Sequence, residues 1–331
     1  MSLTVAVLMD PIESIKIKKD STFAMLLEAQ RRGHRLLYLT QDALALRDAV
    51  PWAHAQALEV REDPHDWFTL GAPQWSDLRA VDVVLARKDP PFDAQFLYDT
   101  MVLELAQRAG VLVVNDPRAL RDANEKLFSL HFPQCIPPTV IARDAAEIKR
   151  FVAAHGDVVV KPLDGMGGRS IFRSTHGDPN LNVILETLTD EGRQFAVAQR
   201  YLPEIRDGDK RILLIDGTPV PYVLARMPQG DDFRGNLARG GKGEGRPISE
   251  RERWIAAQVG PELSRRGMLF VGLDVIGDYL TEVNVTSPTC IRELDQQFGL
   301  NIAGLLFDAI ESNTDRSAAG ATLPDARGRG A

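Results

Sequence analysis

Two acidic residues and an asparagine near the C-terminal end of the chain could hold a divalent cation. In "GLDVIGDYLTEVNV", Asp274 precedes a turn, and Glu282 and Asn284 follow it among alternating apolar residues. Charge within such apolar strands needs a partner. Carboxylate and amide oxygens suit Mg²⁺, which takes few protein ligands and keeps waters and substrate phosphates as the others. We predict a metal site here; a solvated sheet face with ordinary acids is the alternative.

The length of the turn decides whether these side chains share a face of the sheet. A three-residue loop at 277–279 would place Asp274 opposite Glu282. A two-residue loop would place the two carboxylates on opposite faces. The metal interpretation therefore expects the longer loop.

A glycine-rich loop follows a lysine in "VVVKPLDGMGGRSIF". In a P-loop the lysine follows the last glycine, and a dinucleotide fingerprint opens a helix, so neither motif fits. Glycines let backbone N–H groups approach phosphate oxygens closely. Lys161, at the end of the incoming strand, could contact the same phosphates. A tight structural hairpin at 164–168 is the alternative.

A long polar segment, residues 225–249, is rich in glycine and basic side chains. Loops of this length inside compact domains are usually functional or disordered. We predict a lid that closes over anionic groups, with a mobile surface loop as the alternative. The planar guanidinium fork suits carboxylate and phosphate. The basic candidates in and around this segment are Arg211, Arg226, Arg234, Arg239, Lys242, Arg246 and Arg292.

Two patterns of secondary structure surround these residues. The first third of the chain alternates strands and helices, which is typical of a parallel sheet covered on both faces. Asp20 is a predicted helix cap, and residues 52–75 are less regular and predict short antiparallel strands. From Asp157 onward, frequent strands and turn signals such as Asp216–Gly217 predict antiparallel sheet. The last helix, "NIAGLLFDAIE", precedes a tail without apolar periodicity.

The composition is that of an ordinary globular protein. The chain has 331 residues, a net charge of −7 and no arginine–lysine block, so nucleic acid is not an expected partner. Two distant cysteines, Cys135 and Cys290, cannot form a disulfide framework and are predicted to be buried. No signal peptide and no membrane-spanning apolar run are recognised, so we expect a cytoplasmic protein without a membrane partner.

The order of these motifs resembles the ATP-grasp superfamily of carboxylate–amine ligases. Over roughly residues 1–312 the chain strongly resembles the bacterial glutathione synthetases within it. The matching motifs are "KIKKDSTFAMLLEAQRRG", "RKDPPFD", "LRDANEKLF", "KPLDGMGGRSIF", "YLPEIRDGDKRILL", "RGNLARGGKG" and "LTEVNVTSPTCIRE".

The resemblance implies an α/β (α+β) ATP-grasp fold. A doubly wound parallel-sheet lobe at 1–122 would carry substrate. A small central lobe at 123–200 would carry the glycine-rich flap, and an antiparallel-sheet lobe at 201–312 would be catalytic. Residues 313–331 would form a flexible tail.

The resemblance also implies the site residues. ATP would be the nucleotide, its adenine received by backbone groups near Gln199, and Mg²⁺, or Mn²⁺ as the alternative, would be held by Asp274, Glu282 and Asn284. Arg211, Arg226 and the backbone near Gly241 would be catalytic. The nucleotide contacts would be Lys126, Lys161, Asp164, Gly165, Met166, Gly167, Gly168, Gln199, Tyr201, Leu202, Asp209, Arg211 and Asn236.

The implied activity joins γ-L-glutamyl-L-cysteine to glycine through an acyl phosphate, giving glutathione, ADP and phosphate. A homotetramer is implied as well. Candidate dipeptide and glycine contacts are Arg87, Lys88, Arg226 and Ser287, and Cys290 either lies near the site or is structural. A different ATP-grasp ligase and a nucleotide-binding regulator without chemistry are the alternatives.

Overall fold

The computed structural model describes residues 2–165, 167–230, 234–235 and 242–320, with side chains through residue 315. Three sheets form, and each is built from one consecutive stretch of the chain. We name these stretches by the elements that bound them. They are the N-terminal lobe (4–122), the central lobe (139–200) and the C-terminal lobe (209–320).

The N-terminal lobe contains a mixed eight-stranded sheet. Four strands, β2, β1, β7 and β8, are adjacent and parallel with β8 at one edge, and β4 adds antiparallel to β2. Because the chain goes from β1 to β2 on one side and later to β7 on the other, a topological switch point lies between β1 and β7. Open α/β sheets bind ligands at such points. The elements are β1 (Thr4–Leu8), α1 (Ser21–Arg31), β2 (Arg35–Leu39), β3 (Leu44–Arg47), β4 (Val50–Val60), β5 (Phe68–Leu70), β6 (Gln74–Asp77), β7 (Val83–Ala86), α2 (Ala94–Arg108), β8 (Leu112–Val114) and α3 (Pro117–Asp122).

One long strand replaces part of the short strands predicted for residues 52–75. The strand β4 has 11 residues and pairs antiparallel with β2, β3, β5 and β6. Ala53 and Ala55 are buried, whereas Trp52 and His54 face outward, which is the alternation expected of a strand with one covered face. The antiparallel prediction is confirmed, and the predicted shortness is wrong for β4.

The central lobe is a four-stranded antiparallel sheet in the order β11-β10-β12-β9. Its helices cover one face, and Ile148 and Val152 of one helix meet Leu185 of the other over Val158 and Val160 of β10. This hydrophobic cluster is separate from those of the other two lobes. The elements are β9 (Thr139–Ala142), α4 (Ala145–His155), β10 (Asp157–Pro162), β11 (Phe172–Thr175), α5 (Leu181–Thr189) and β12 (Ala196–Arg200).

The C-terminal lobe is a five-stranded antiparallel sheet in the order β15-β14-β13-β16-β17. The elements are β13 (Asp209–Ile215), β14 (Thr218–Met227), β15 (Lys242–Pro247), α6 (Glu250–Arg265), β16 (Phe270–Ile276), β17 (Tyr279–Asn284), α7 (Ile291–Phe298) and α8 (Ile302–Gly320). Two large hydrophobic clusters join this lobe to the N-terminal lobe, with Leu120 and Val271 in one and Phe23 and Phe270 in the other. The predicted fold class is confirmed.

Helix starts in the structure follow side-chain capping. Asp20 accepts a hydrogen bond from the Phe23 backbone N–H, as predicted, and Asp93 does the same for Phe96 at the start of α2. Capping of this kind satisfies backbone donors that have no partner within the helix. Ser249 begins α6 with a reciprocal capping box.

The final helix is longer than the sequence predicts. A tail is predicted from residue 313, whereas α8 continues to Gly320; residues 321–331 lie outside the described ranges. The apolar face formed by Ile302, Leu306 and Ile310 anchors the first turns in the core, and the helix extends beyond that face. Of the helices in the described part of the chain, none is long and apolar enough to cross a bilayer.

Candidate active site

The candidate site is a cleft of about 230 Å³ to which all three lobes contribute. Asp89 and Pro90 follow β7 of the N-terminal lobe, and Lys161 is the penultimate residue of β10 in the central lobe. Arg211 and Asp274 lie on β13 and β16 of the C-terminal lobe. The structure therefore brings together Lys161, Arg211 and Asp274, which are far apart in sequence and were predicted to act in one site.

Two buried lysines face one carboxylate in the cleft. Lys161 Nζ donates to Glu282 Oε1 at 3.0 Å, and Lys126 Nζ lies 3.8 Å from the same oxygen. Lys126 also contacts the Glu125 carboxylate and donates to the carbonyl oxygen of Gly165 at 3.1 Å. Burial alone would raise the pKa of Glu282, but the charges of Lys161 and Lys126 hold it below its usual value. Two ammonium groups and the two carboxylates that pair with them thus lie beside the glycine loop.

Two arginines and two aspartates form a buried ionic cluster at the other side of the cleft. Arg211 is bidentate to Asp274, with Nε to Oδ1 at 2.5 Å and Nη2 to Oδ2 at 3.1 Å. Arg226 Nη2 lies 2.5 Å from Asp209 Oδ2 and 3.0 Å from Asp274 Oδ2. Burial favours the neutral acid, but the two guanidinium groups hold the pKa of Asp274 well below its usual range. Burial raises the pKa of Asp209 to about 6, although Arg226 opposes the shift.

Asp274 and Glu282 are directly opposite each other in the β16–β17 hairpin. The turn has two residues, not the three that the sequence argument required, because Ile276 pairs with Tyr279. A β-bulge between Asp274 and Val275 corrects the register, so that Thr281 is the extra residue on β17. Its hydroxyl donates to the Asp274 carbonyl oxygen at 3.1 Å. The predicted pairing is therefore present, and the predicted loop length is wrong.

The chemistry of this hairpin fits a hard divalent cation. Both lysine contacts of Glu282 fall on Oε1. Asn284 Nδ2 is buried and has no hydrogen-bond partner among the described residues, and a half-turn of the amide would present its oxygen there instead. In the ranges that the structure describes, no three histidine, cysteine or acidic side chains cluster as a metal site. The candidate ligand set therefore consists of Asp274, Glu282 and the Asn284 amide.

The glycine loop joins β10 to β11 and borders the cleft. Gly167 and Gly168 have φ of +64° and +74°, a left-handed conformation that favours glycine. Arg234 Nη1 donates to the Gly168 carbonyl oxygen at 2.7 Å, so the basic segment reaches the glycine loop. Asp164 is exposed and Gly165 borders the cleft, whereas Met166 lies outside the described residues.

A second pocket of about 100 Å³ adjoins the cleft and shares Lys161 and Glu282 with it. It contains the residues predicted to receive adenine, Gln199, Tyr201 and Leu202, together with Asp209 and Arg234. Leu202 is buried at the pocket and supplies apolar surface, and the lining is thus suited to a flat heterocycle.

The basic side chains predicted in and around residues 225–249 do not all lie in the site. Arg226 belongs to the ionic cluster, and Arg246, in β15, donates to the Asp207 carbonyl oxygen at 3.0 Å. Arg292 pairs with Glu62, and it does not line the cleft. The predicted site residues Asn236 and Gly241, and the lid candidate Arg239, lie outside the described residues.

Sequence reasoning missed Glu125, which lines the cleft beside Lys126. Burial raises the pKa of Glu125 to about 7, and the negative charge of Glu282 adds to the shift. Its backbone carbonyl accepts from Val283 N at 2.8 Å. This bond ties the segment between α3 and β9 to the β16–β17 hairpin, which we name the metal hairpin after its candidate ligands. The only available signal was its position next to a lysine already assigned to the site.

Both cysteines are buried and free, as predicted. Cys290 lies near Arg211 and Arg226, where burial raises the pKa of its thiol although the two arginines oppose the shift. The thiol is accordingly protonated at neutral pH and poorly nucleophilic.

Comparison with known proteins agrees with this geometry. The family models for prokaryotic glutathione synthetase match at the N-terminal domain, residues 3–121, and at the ATP-grasp domain, residues 125–299. A glutathione synthetase of Xanthomonas campestris pv. campestris is 71% identical over 314 residues, covering 95% of this chain and 99% of the relative. One from Escherichia coli O157:H7 is 54% identical over 310 residues, covering 94% and 98%.

The fold is also similar to that of a solved structure with little sequence identity. The D-cycloserine synthetase DcsG has a TM-score of 0.64 at 16% identity, and the match covers 94% of this chain and 99% of that one. This likeness concerns the fold alone. The two family models together span most of the sequence, and the chain therefore belongs to the prokaryotic glutathione synthetase family.

Proposed function

We propose that this chain ligates γ-L-glutamyl-L-cysteine to glycine with ATP, forming glutathione, ADP and phosphate. The observation that carries the proposal is the convergence of Lys126, Lys161, Arg211 and Arg226 around the Asp274–Glu282 pair in one cleft. Such a cleft can neutralise a transferring phosphoryl group and a developing oxyanion. The near full-length relatives named glutathione synthetase support this choice among ligases.

In this proposal the nucleotide lies along the two connected pockets. Adenine occupies the pocket at Gln199 and Leu202, and the phosphates extend toward Lys161 and Lys126. The glycine loop covers the phosphates with its backbone N–H groups. Because Lys161 and Glu282 border both pockets, the γ-phosphate reaches the part of the cleft that Arg211 and Arg226 border.

Asp274, Glu282 and Asn284 would hold Mg²⁺, with Mn²⁺ as the alternative. When bound, the cation would neutralise phosphate charge and orient the phosphates. Glu282→Gln tests the assignment, since the amide keeps the shape but loses the charge. We expect a higher Mg²⁺ concentration at half-maximal rate and weaker Mn²⁺ binding by calorimetry. Unchanged values in both measurements would remove Glu282 from the ligand set.

The proposed first step activates the cysteine carboxylate of the dipeptide. One carboxylate oxygen bonds to the γ-phosphorus as the bond to the β–γ bridging oxygen breaks, and ADP is released as the leaving group. Lys161 and Lys126 stabilise the charge on the phosphoryl oxygens. The product is an acyl phosphate, in which the carboxyl carbon has become a reactive electrophile.

The second step forms the peptide bond. Glycine gives up an ammonium proton to solvent, and its nitrogen then bonds to the acyl carbon. Arg211 and Arg226 donate to the resulting oxyanion. The carbon–oxygen bond to phosphate breaks, and the second amine proton leaves with phosphate. Water would hydrolyse the acyl phosphate, and we assign its exclusion to the glycine loop and the Arg234 segment.

Arg87 is the proposed anchor for a substrate carboxylate. It follows β7 at the topological switch point, and burial lowers its pKa to about 10. It donates to Thr22 Oγ1 at 3.1 Å and to the Pro288 carbonyl oxygen at 2.9 Å, and among the described residues it makes no ion pair. Asp20 and Asp89 oppose this shift without forming an ion pair with Arg87, and an anionic ligand would stabilise the buried guanidinium further. Ser287 lines the cleft nearby, whereas Lys88 pairs with Asp10.

Two further parts of the proposal concern the molecule as a whole. We propose a homotetramer and a cytoplasmic location, as the family resemblance suggested. Multi-angle light scattering of the purified full chain tests the first, and cell fractionation tests the second. A monomer mass across the working concentration range would contradict the tetramer.

The direct test is an ADP-release assay with γ-glutamylcysteine and glycine. D-Alanine or glutamate in place of the dipeptide separates this activity from that of other ATP-grasp ligases. Dipeptide labelled with oxygen-18 in the cysteine carboxylate should transfer one labelled oxygen to inorganic phosphate. Label retained wholly in the tripeptide, or AMP as the product, would overturn the acyl-phosphate route. Nucleotide binding without turnover would favour a regulator.

A further inference from the structure

The segment 285–291, which follows the metal hairpin, forms one wall of the cleft. It contributes Thr286, Ser287, Pro288 and Thr289 to the lining. The segment has neither helix nor strand before α7 begins. Its conformation must therefore be fixed by contacts other than a hydrogen-bonded ladder.

Asn115 supplies the first of these contacts. It follows β8 and is 3% exposed. Its Nδ2 donates to the carbonyl oxygens of Phe270 at 2.8 Å and Val285 at 2.7 Å, and its Oδ1 accepts from Phe270 N at 2.9 Å. The amide thus bonds the first residue of β16 and the residue directly after β17. It holds both strands of the metal hairpin at their base.

Two further side chains of the N-terminal lobe hold the same segment. Arg87 follows β7, the strand next to β8, and donates to the Pro288 carbonyl oxygen at 2.9 Å. Ser21, in the first turn of α1, accepts from Ile291 N at 3.2 Å. Backbone groups at the start, the middle and the end of the segment are therefore each bonded to a buried polar side chain of the N-terminal lobe.

We propose that Asn115 is a positioning residue for the ligation reaction, and that with Arg87 and Ser21 it fixes the cleft wall 285–291. This inference rests on the proposed function. Asn115 acts through the backbone of Phe270 and Val285, and the Val285 contact immediately follows the candidate metal ligand Asn284. A shift of this wall misplaces the dipeptide, whereas the adenine pocket shares no residue with the wall.

Asn115→Asp is the sharpest variant. The carboxylate keeps the acceptor for Phe270 N but loses both donations, and it faces two carbonyl oxygens instead. The control for the backbone contact is Gln30→Glu, at an exposed position on α1. Gln30 bonds the backbone of Val60 in the same way, with Nε2 to the carbonyl oxygen at 2.7 Å and Oε1 accepting from the N–H at 2.8 Å, inside the N-terminal lobe.

Kinetics of both variants are measured at a temperature where each is fully folded by circular dichroism. For Asn115→Asp we expect kcat/KM for the dipeptide to fall about tenfold or more, since small displacements of reacting groups are costly. KM for the dipeptide should rise while KM for ATP changes by less than about twofold, whereas a general loss of folded protein would lower kcat and leave both KM values unchanged. Gln30→Glu should leave kcat and the KM values for all three substrates unchanged.

Hydrogen exchange gives a readout that does not depend on turnover. Amides of 285–291 should exchange faster in Asn115→Asp than in wild type, and no faster in Gln30→Glu. If Asn115→Asp fails to fold, Ser21→Ala is the second variant. It removes the hydroxyl that accepts from Ile291 N at the end of the wall, and it should increase exchange in 285–291 and lower kcat/KM for the dipeptide by smaller amounts. Wild-type kinetics and exchange in the folded variants would overturn the inference. Absence of ligation by wild-type protein would instead refute the proposed function.

Discussion

Arg211 and Asp274 face each other on neighbouring strands and form a bidentate pair that is buried within the protein. Arg226 adds a second guanidinium, 3.0 Å from Asp274 Oδ2. The carboxylate is therefore charge-compensated before any substrate or cation arrives. If a cation binds there, it shares Asp274 with two arginines, so the ionic cluster and the metal site are one electrostatic unit.

Asp274→Asn should destabilise the protein as well as inactivate it. Removing one member of a buried, hydrogen-bonded ion pair typically costs about 3–5 kcal/mol, because the remaining charge stays buried. We expect a clearly lowered melting temperature by scanning fluorimetry, together with loss of ligation. The control is Asp278→Asn, in the exposed turn of the same hairpin. An unchanged melting temperature for Asp274→Asn would contradict the view that the cluster is a buried ionic unit.

Lys161→Ala should weaken the use of ATP. Lys161 Nζ lies 3.0 Å from Glu282 Oε1, and its loss leaves that carboxylate without its nearest cation at the point where phosphates are proposed to lie. We expect KM for ATP to rise roughly tenfold or more and kcat to fall about 10²-fold, as for the removal of one charge-stabilising donor. Steady-state kinetics give both values.

The control for Lys161→Ala is Lys149→Ala. Lys149 lies exposed on α4 of the same lobe, so its loss removes one positive charge without touching the cleft. Normal kcat/KM for ATP in Lys161→Ala would exclude a role for this lysine in nucleotide binding or transfer.

The hairpin shows which part of the site could be derived from the sequence. The alternation of apolar and polar residues predicted two strands, and the chemistry of Asp274 and Glu282 predicted that they would share a face. The sequence argument attributed that shared face to a three-residue turn. The structure instead has a two-residue turn, and a bulge at Thr281 brings the two carboxylates to the same face. A β-bulge depends on pairing across the sheet, and a single sequence carries little local signal for it.

Tertiary contacts explain what the sequence did not predict. Asn115 follows an ordinary apolar strand, and its partners Phe270 and Val285 are more than 150 positions away. Nothing in local periodicity marks such a contact. The fold class was accessible because strand and helix patterns are local and strong and the motifs are long. The roles of the individual site residues stay predictions until the variants are measured.

Arg234→Ala should uncouple ATP use from ligation. Arg234 Nη1 donates to the Gly168 carbonyl oxygen at 2.7 Å and so links the basic segment to the glycine loop. Without this link we expect water to reach the acyl phosphate more often, so that more ADP forms per tripeptide. The measurement is the ratio of ADP to tripeptide at saturating substrates.

Arg253→Ala is the control for the uncoupling experiment, since Arg253 is exposed on α6. Its ratio should remain that of wild type. Limited proteolysis with and without ATP and dipeptide provides a second measurement, and ligands should protect the wild-type segment more than the Arg234→Ala segment. Equal ratios together with identical cleavage would show that the contact does not guard the intermediate.

Asp295 should make stability depend on pH in a predictable direction. Burial raises the pKa of Asp295 to about 6, well above the ordinary value for an aspartate, although it accepts a hydrogen bond from Ile302 N. The folded state therefore binds this proton more tightly than the unfolded state, and the contribution of Asp295 to stability is lost as pH rises from about 4 to about 6.

Asp295→Asn keeps the acceptor and removes the titration. We expect it to raise the melting temperature above pH 7, by an amount equivalent to roughly 1 kcal/mol after solvent screening, and to have no stabilising effect near pH 4. Scanning fluorimetry between pH 4 and 8 measures the difference in melting temperature between the variant and wild type. A difference that does not grow with pH would show that the pKa of Asp295 is not raised.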